Sequence, residues 1–540
     1  MSSHGYVQRD SPSPTSELTY CSFPSIPIFG DKRDHGNFPR LLATPAIGQQ
    51  TETSKPDVTI DMLPDTALLN IFDSYEKPKT IFDLKWDWRT LLRVCRRWRH
   101  IILTSPRRLD LRIFCGPRTP MRKLPDFWPP VPISVSCFPW AGTDAGCKDN
   151  ILAALEHRDR VFEINLMFAP GDQLQQIAST MVEPFPILTR LYVYPNKMDI
   201  DMGIDMPQDA RLALPDAFLG GSAPRLREII LEGTAFPALP NLVLSASHFH
   251  KLHLSDVPHA GYIPPQTMVT FLLALPNLKS FAIGFASPQS RPLQISPAPL
   301  TRAVLPSLTN FGFHGASEYL VDFIAQIDTP LLDSLQMTFF SDLVFDIPRL
   351  YEFLGRLKPF VRAELRFGSC DVVVSLRSSS TFWMDITCKE PDWPLESMTR
   401  LCVQLAPLLS QVECLEIDGE DWDALYFLDE EGPGWQETVD DPNWLELFSP
   451  FVSVKSLYMS ERPWYCVEEV LEKVTGERVI EVLPALQNLF TRGIWSSEAV
   501  EKALPTFVSA RQLYDHPVVV QRWELPPRQS LDYLLRVLPL

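Results

Sequence analysis

His248 and His250 lie two residues apart in "SHFHKLH", with His253 just beyond. On a strand, that spacing would put the first two imidazoles on one face, where they could ligate a metal. No nearby cysteine or carboxylate completes a ligand set, so they read as loop and strand-surface histidines. "LGGSAP" (219–224) is glycine-rich like a phosphate loop but has no lysine. It reads as a loop before a strand. The acidic stretch from Asp418 to Glu431 breaks the calcium-loop spacing, because Gly419 falls at its second position. A solvated loop is expected there. GxSxG, GxGxxG, HExxH and the P-loop are all absent. The sequence therefore predicts no catalytic site, no cofactor and no metal.

One stretch has a stronger chemical character. Lys85, Arg89, Arg93, Arg96, Arg97, Arg99, Arg107, Arg108 and Arg112 crowd around "LLRVCRRWRHIILTSPRRLDLRIFC". Arginines on an exposed helix face can contact nucleic acid. Leu91, Leu92, Val94, Cys95, Trp98, Ile101 and Ile102 thread through them, however. That much apolar bulk points to a core or to a protein partner. The acidic balance of the whole chain, a net charge of −17, also disfavours nucleic acid.

The elements around this stretch are short. Asp65 is a candidate N-cap for a helix carrying Leu68, Ile71, Phe72 and Tyr75 at i, i+3, i+4 and i+7. "WDWRTLLRVCRRWRHIILTSP" reads as a second helix, ended at Ser105-Pro106. Helices of this size cannot bury their own faces well, so a partner or the following domain must cover them. Residues 1–57 are rich in Ser, Thr, Pro and Gly and are expected to lack order. Residues 58–112 form the helical unit, and 113–149 are expected as a connection. The 10 cysteines include no CxxC pair, which favours a reducing compartment over a disulfide framework. No secretory signal pattern and no long apolar run is seen, so an intracellular protein, cytoplasmic or nuclear, without a membrane partner is expected.

From residue 150 to 540 the texture becomes repetitive. "LTRLYV" (188–193), "LREIIL" (226–231), "FHKLHL" (249–254), "LKSFAI" (278–283), "LTNFGF" (308–313) and "LDSLQM" (332–337) each read apolar-x-x-apolar-x-apolar. "VFEINL" (161–166), "VECLEI" (412–417), "VKSLYM" (454–459) and "LQNLFT" (486–491) do the same. Steps of about 23–38 residues from 188 onward match a leucine-rich-repeat period with insertions. The last three letters should form a short strand with two apolar residues inward. The chain should then return as a helix, as in "HAGYIPPQTMVTFLLALP" and "ASEYLVDFIAQIDTP". "AELRF" (363–367) is a further candidate strand, units between 340 and 410 are poorly marked, and 418–444 is an acidic insertion. The 51 prolines, about twice the usual share, punctuate short elements throughout.

"LPDTALLNIF…LLRVCRRWRHII" resembles the F-box. The residues that carry this are Leu63-Pro64, Ile71-Phe72, and Val94-Cys95, Trp98 and Ile101. With "TSPRRLDLRIFC", "ALEHRDRV" and "ERVIEVLPALQNLF", most of the chain is similar to the large fungal family of F-box proteins with irregular leucine-rich repeats. The segment between the two helices is longer than in a compact F-box. The resemblance implies an α/β fold: a small helical F-box, then a solenoid with a curved parallel sheet and helical or extended returns. It also implies a non-enzymatic substrate receptor of a Skp–cullin–F-box ubiquitin ligase. The F-box would dock on a Skp-family adaptor, and through it on cullin, while the repeats hold a target protein. Leu63, Pro64, Leu68, Ile71, Phe72, Leu91, Val94, Cys95, Trp98 and Ile101 would supply the F-box core and the adaptor-facing surface, with Trp98 as anchor and the arginines favouring an acidic adaptor. The alternatives are an F-box scaffold acting outside a ligase and a nucleic-acid-binding protein using the Arg-rich helix 89–112.

Overall fold

The computed structural model describes residues 60–74, 88–106, 108–109, 111–115, 121–123, 131–137, 145–169, 171–195, 212–288, 290, 302–340, 347–355, 357, 359–368, 371–387, 394–419, 443–460, 476, 478–491 and 500–522. The expected disordered tail 1–57 and residues 420–442 of the acidic insertion lie outside them. The chain divides into two compact units, Met1–Pro64 and Asp65–Leu540. In the first, Ile60–Met62 make one 3₁₀ turn, and the Leu63 amide donates to the Ile60 carbonyl at 3.2 Å.

The second unit is α/β. Its described strands are β1 (Ile113–Cys115), β2 (Ile133–Cys137), β3 (Val161–Ala169), β4 (Arg190–Pro195), β5 (Glu228–Glu232), β6 (Lys251–Val257), β7 (Ser280–Phe285), β8 (Ala303–Val304) and β9 (Asn310–Gly315). They continue as β10 (Ile327–Asp328), β11 (Ser334–Phe339), β12 (Arg362–Phe367), β13 (Asp371–Arg377), β14 (Thr381–Thr387), β15 (Cys414–Gly419), β16 (Ser456–Met459), β17 (Asn488–Thr491) and β18 (Val519–Arg522). All but β8 and β10 join one 16-stranded sheet, in the order β1-β2-β3-β4-β5-β6-β7-β9-β11-β14-β13-β12-β15-β16-β17-β18. Neighbours are parallel except where β13 runs antiparallel between β12 and β14. β8 and β10 pair separately. Parallel neighbours need a crossover, and helices such as Pro265–Leu273 and Ser317–Gln326 supply it inside the two stretches expected as helical returns.

The repeat letters set the register. From Leu188 onward, each strand carrying the motif begins at its third letter, one residue earlier than expected: Arg190, Glu228, Lys251, Ser280, Asn310, Ser334, Cys414, Ser456 and Asn488. Fourth letters align in one buried row, Leu191, Ile229, Leu252, Phe281, Phe311 and Leu335. Sixth letters align in a second, Val193, Leu231, Leu254, Ile283, Phe313 and Met337. Helices pack on these rows. Phe323 of Ser317–Gln326 lies 5.8 Å from Phe281 and 5.4 Å from Phe311, ring centre to ring centre, and Phe281 and Phe311 stack at 5.7 Å.

The second letters are joined differently. The amides of Arg227, His250, Lys279, Thr309 and Asp333 donate to the carbonyls of Thr189, Arg227, His250, Lys279 and Thr309 at 2.8–2.9 Å. The Glu413, Lys455, Gln487 and Val519 positions are linked in the same way. The ladder itself runs through the backbone, so the residue type at this letter varies; threonine hydroxyls add to it at Thr189 and Thr309.

Sheet pairing starts at Ile113, so β1 and β2 lie within the stretch expected as a connection. "AELRF" is β12, as expected. The hairpin β13–β14 was not legible, because Val372, Val373 and Val374 are all buried and show no alternation. "LGGSAP" follows its expectation as a turn before β5: Leu219, Gly220 and Gly221 have φ of 53°, 61° and 65°. A Cβ on Gly220 would also fall 2.6 Å from Pro184 Cδ.

Phe311 touches both neighbouring strand and helix, so Phe311→Ala should cost about 3–5 kcal/mol, read as a lower midpoint in chemical denaturation.

Candidate functional site

Two places present side chains that the core does not consume: the short helices near residue 100 and the second face of the sheet. In the first, the helix Asp65–Ser74 buries Leu68, Leu69 and Phe72. The expected second helix is two pieces, a 3₁₀ turn Trp88–Arg93 and an α-helix Arg96–Thr104. The break has a local cause. Cys95 is extended, with φ −155° and ψ 171°, and its Sγ accepts the Trp98 amide at 3.4 Å as an N-cap. The cysteine thus restarts the helix. Asp65, expected as an N-cap, is the first helical residue, and its carboxylate accepts instead from Arg97 Nε and Nη2 at 3.1 and 2.6 Å.

The predicted site residues of the second unit range from buried to exposed. Leu68, Phe72 and Ile101 are buried, and Phe72 meets Trp98 edge-on at 4.7 Å. Leu91, Cys95 and Trp98 are half-buried. Ile71 and Val94 are exposed, at 44% and 58%. In the first unit, Leu63 is half-buried and Pro64 exposed. Leu69, Leu92 and Ile102 are also buried though not among the predicted site residues. Leu92 and Ile102 carried a signal in the apolar periodicity.

The arginines hold this region together. Arg97 binds Asp65, Arg108 Nη2 donates to Asn70 Oδ1 at 2.7 Å, and Arg99 Nε donates to the Leu92 carbonyl at 3.1 Å. Arg112 sits over the Phe162 ring at 4.4 Å, with Glu163 at 3.8 Å. Four of the arginines thus bond within the fold, while Arg93 and Arg96 are exposed. Lys85 and Arg107 lie outside the described residues.

On the sheet's second face, third and fifth letters alternate with the core rows. Over β3–β6 they form a network. Arg190 bridges Glu163 and Glu228 at 3.4 and 3.6 Å, and Tyr192 donates to Glu228 at 2.6 Å. Burial and this carboxylate push the Tyr192 phenol far above its usual range. Over β12–β17 the face is arginine and aromatic. Arg366 lies over Trp383 at 4.5 Å, Arg362 over Tyr458 at 5.8 Å, and Tyr458 stacks on Phe490 at 4.3 Å. Sequence reading missed these residues because they occupy the letters the repeat leaves open.

The histidines do not form a site. His248 and His250 precede β6 rather than sharing a strand face, and His253 is buried with Nε2 2.8 Å from Ser280 Oγ. No group of three or more potential metal ligands occurs among the described residues, and no described helix is long and apolar enough to cross a membrane.

No protein-family model matches this chain, and no curated protein matches it.

Trp98→Ala should speed amide hydrogen exchange across residues 96–104 by removing the Phe72 contact, a loss of about 2–4 kcal/mol. Arg97→Ala breaks a half-exposed pair and should cost under about 1 kcal/mol. Equal exchange in the two variants would overturn the ranking.

Proposed function

We propose that this chain is the substrate receptor of a Skp–cullin–F-box ubiquitin ligase, acting inside the cell and performing no bond chemistry itself. The observation that carries the reading is the division of the F-box-like motif into two sets. Leu68, Phe72 and Ile101 close the helices from within, while the motif positions Ile71 and Val94 stay exposed. Exposed apolar side chains on a small, internally stapled helical pair are a natural docking surface for an adaptor. The long sheet that follows supports the second half of the reading. Its core letters are spent on packing, and its second face offers a broad polar and aromatic surface for a target. The receptor would act by effective concentration, holding a target lysine near a ubiquitin-loaded conjugating enzyme that the adaptor and cullin bring.

The two sets also refine the test. Trp98 substitution disturbs the helices and the docking surface together. Ile71→Asp with Val94→Asp changes exposed positions alone. Full-length protein should co-purify stoichiometrically with a recombinant Skp-family adaptor, and the double variant should lose about 2–4 kcal/mol of that affinity with its thermal melting unchanged. No complex with the wild-type protein, or an unchanged one with the double variant, would sink the proposal. Adaptor binding without cullin recruitment would leave the scaffold role in its place.

A further inference from the structure

Arg362 and Arg377 are direct cross-strand partners on β12 and β13. Ala363 and Leu376, the next pair, are buried in the core, so both arginines stand on the second face of the sheet. Like charges directly opposite one another in an antiparallel pair are destabilising. The sequence places them there nonetheless, in β12–β13, one of the two antiparallel pairings of the large sheet among the described residues.

Each guanidinium is anchored from beneath. Arg362 Nη2 donates to Glu416 Oε2 at 2.7 Å. Arg377 Nη2 donates to Glu364 Oε2 at 3.1 Å and its Nε to Ser375 Oγ at 3.2 Å. The two carboxylates are recessed, at 11% and 13% exposure, whereas the arginine side chains are 48% and 39% exposed. A partner approaching this face therefore meets cations first. An arginine has five N–H donors, and these bonds use only some of them. The remaining fork edges can take a carboxylate in the geometry guanidinium favours. Aromatic surfaces flank the pair: Tyr458 under Arg362, and Trp383 on β14 under Arg366. Lys455 is paired with Glu413 at 2.7 Å, and Asp418 on β15 is buried.

We propose that Arg362 and Arg377 form a clamp for carboxylate side chains of an acidic, extended segment of the target protein. The identity of that partner as a ligase target rests on the receptor reading above; the clamp itself is measurable without the adaptor. An extended segment is favoured because it turns every second side chain to one face, so two carboxylates of an alternating sequence can reach the neighbouring guanidiniums together.

The probe is a fluorescent peptide of alternating Glu and Ala, read by anisotropy against the full-length protein. Its counterparts are the same peptide with Gln for Glu, and a single-stranded oligothymidine. The Glu peptide should bind, weaken with added salt, and lose about tenfold or more in affinity to Arg362→Gln plus Arg377→Gln. Arg302→Gln, which removes an exposed arginine paired with Glu352 elsewhere on the chain, should leave binding unchanged. Unaltered thermal melting of the double variant would show that the loss lies in the site. The clamp is overturned if the Glu peptide does not bind the wild-type protein, or if the Gln peptide binds as well as it does. Indifference to the double substitution has the same force, as does binding of the oligothymidine in place of the peptide. Adaptor co-purification of the double variant runs in parallel: loss of peptide binding with the adaptor retained concerns the clamp alone, and loss of the adaptor from the wild type concerns the receptor reading alone.

Discussion

The hydrogen bond from each repeat's second-letter amide to the carbonyl of the repeat before it is the constraint on which the sheet depends. From Arg227 to Asp333, and again from Lys455 to Val519, it recurs at 2.8–2.9 Å wherever the chain enters a new strand. It fixes the phase of each of these strands relative to its neighbour. Once the phase is fixed, the fourth and sixth letters must form continuous rows, because a slip of one residue would turn them to the other face. The apolar rows then gain burial from helix packing, with Phe323 against Phe281 and Phe311 as the densest example. Backbone and side chains thus divide the work. The backbone sets register, and apolar area supplies the driving force.

The same division explains where function can reside. Letter two faces no packing demand of comparable strictness, and letters three and five vary in polarity, although Asn165, Ile230 and His253 at the fifth are buried. Thr, Arg, His, Lys, Asp, Glu and Gln all occur at the second letter without disturbing the ladder. On β3–β5 a network ties together Glu163, Arg190, Tyr192 and Glu228. On β12–β16 the same face instead holds Arg362 over Tyr458 and Arg366 over Trp383. The change coincides with the hairpin that reverses strand order, where β14 rather than β12 follows β11. Only an antiparallel neighbour brings Arg377 opposite Arg362; with every strand parallel, β13 would not run back along β12.

The helices near residue 100 obey a different logic. They are too short to be stable alone, and their stability comes from cross-links: Phe72 on Trp98, Arg97 to Asp65, Arg108 to Asn70. Of the dense arginines, which resemble a nucleic-acid motif when read along the chain, Arg97, Arg99, Arg108 and Arg112 bond within the fold. This leaves exposed apolar side chains, Ile71 and Val94, as the feature of that region that the fold itself does not explain.

The sequence by itself determined the period of the array, the inward letters and, to within one residue, the start of nearly every motif-bearing strand. These follow from local alternation, which is written in neighbouring residues. It also marked Leu68, Phe72, Cys95, Trp98 and Ile101 as a group, though it read one helix where Cys95 divides two. It did not determine β1, β2, the β13–β14 hairpin, or which motif residues face inward. Those depend on contacts between residues far apart in the chain. Val372–Val374 are apolar on both faces, so no alternation betrays the strand. Trp98 is half-buried only because Phe72 reaches it from another helix. Arg362 and Arg377 became a pair only when the hairpin closed, since like charges fifteen positions apart carry no signal until a sheet sets them side by side.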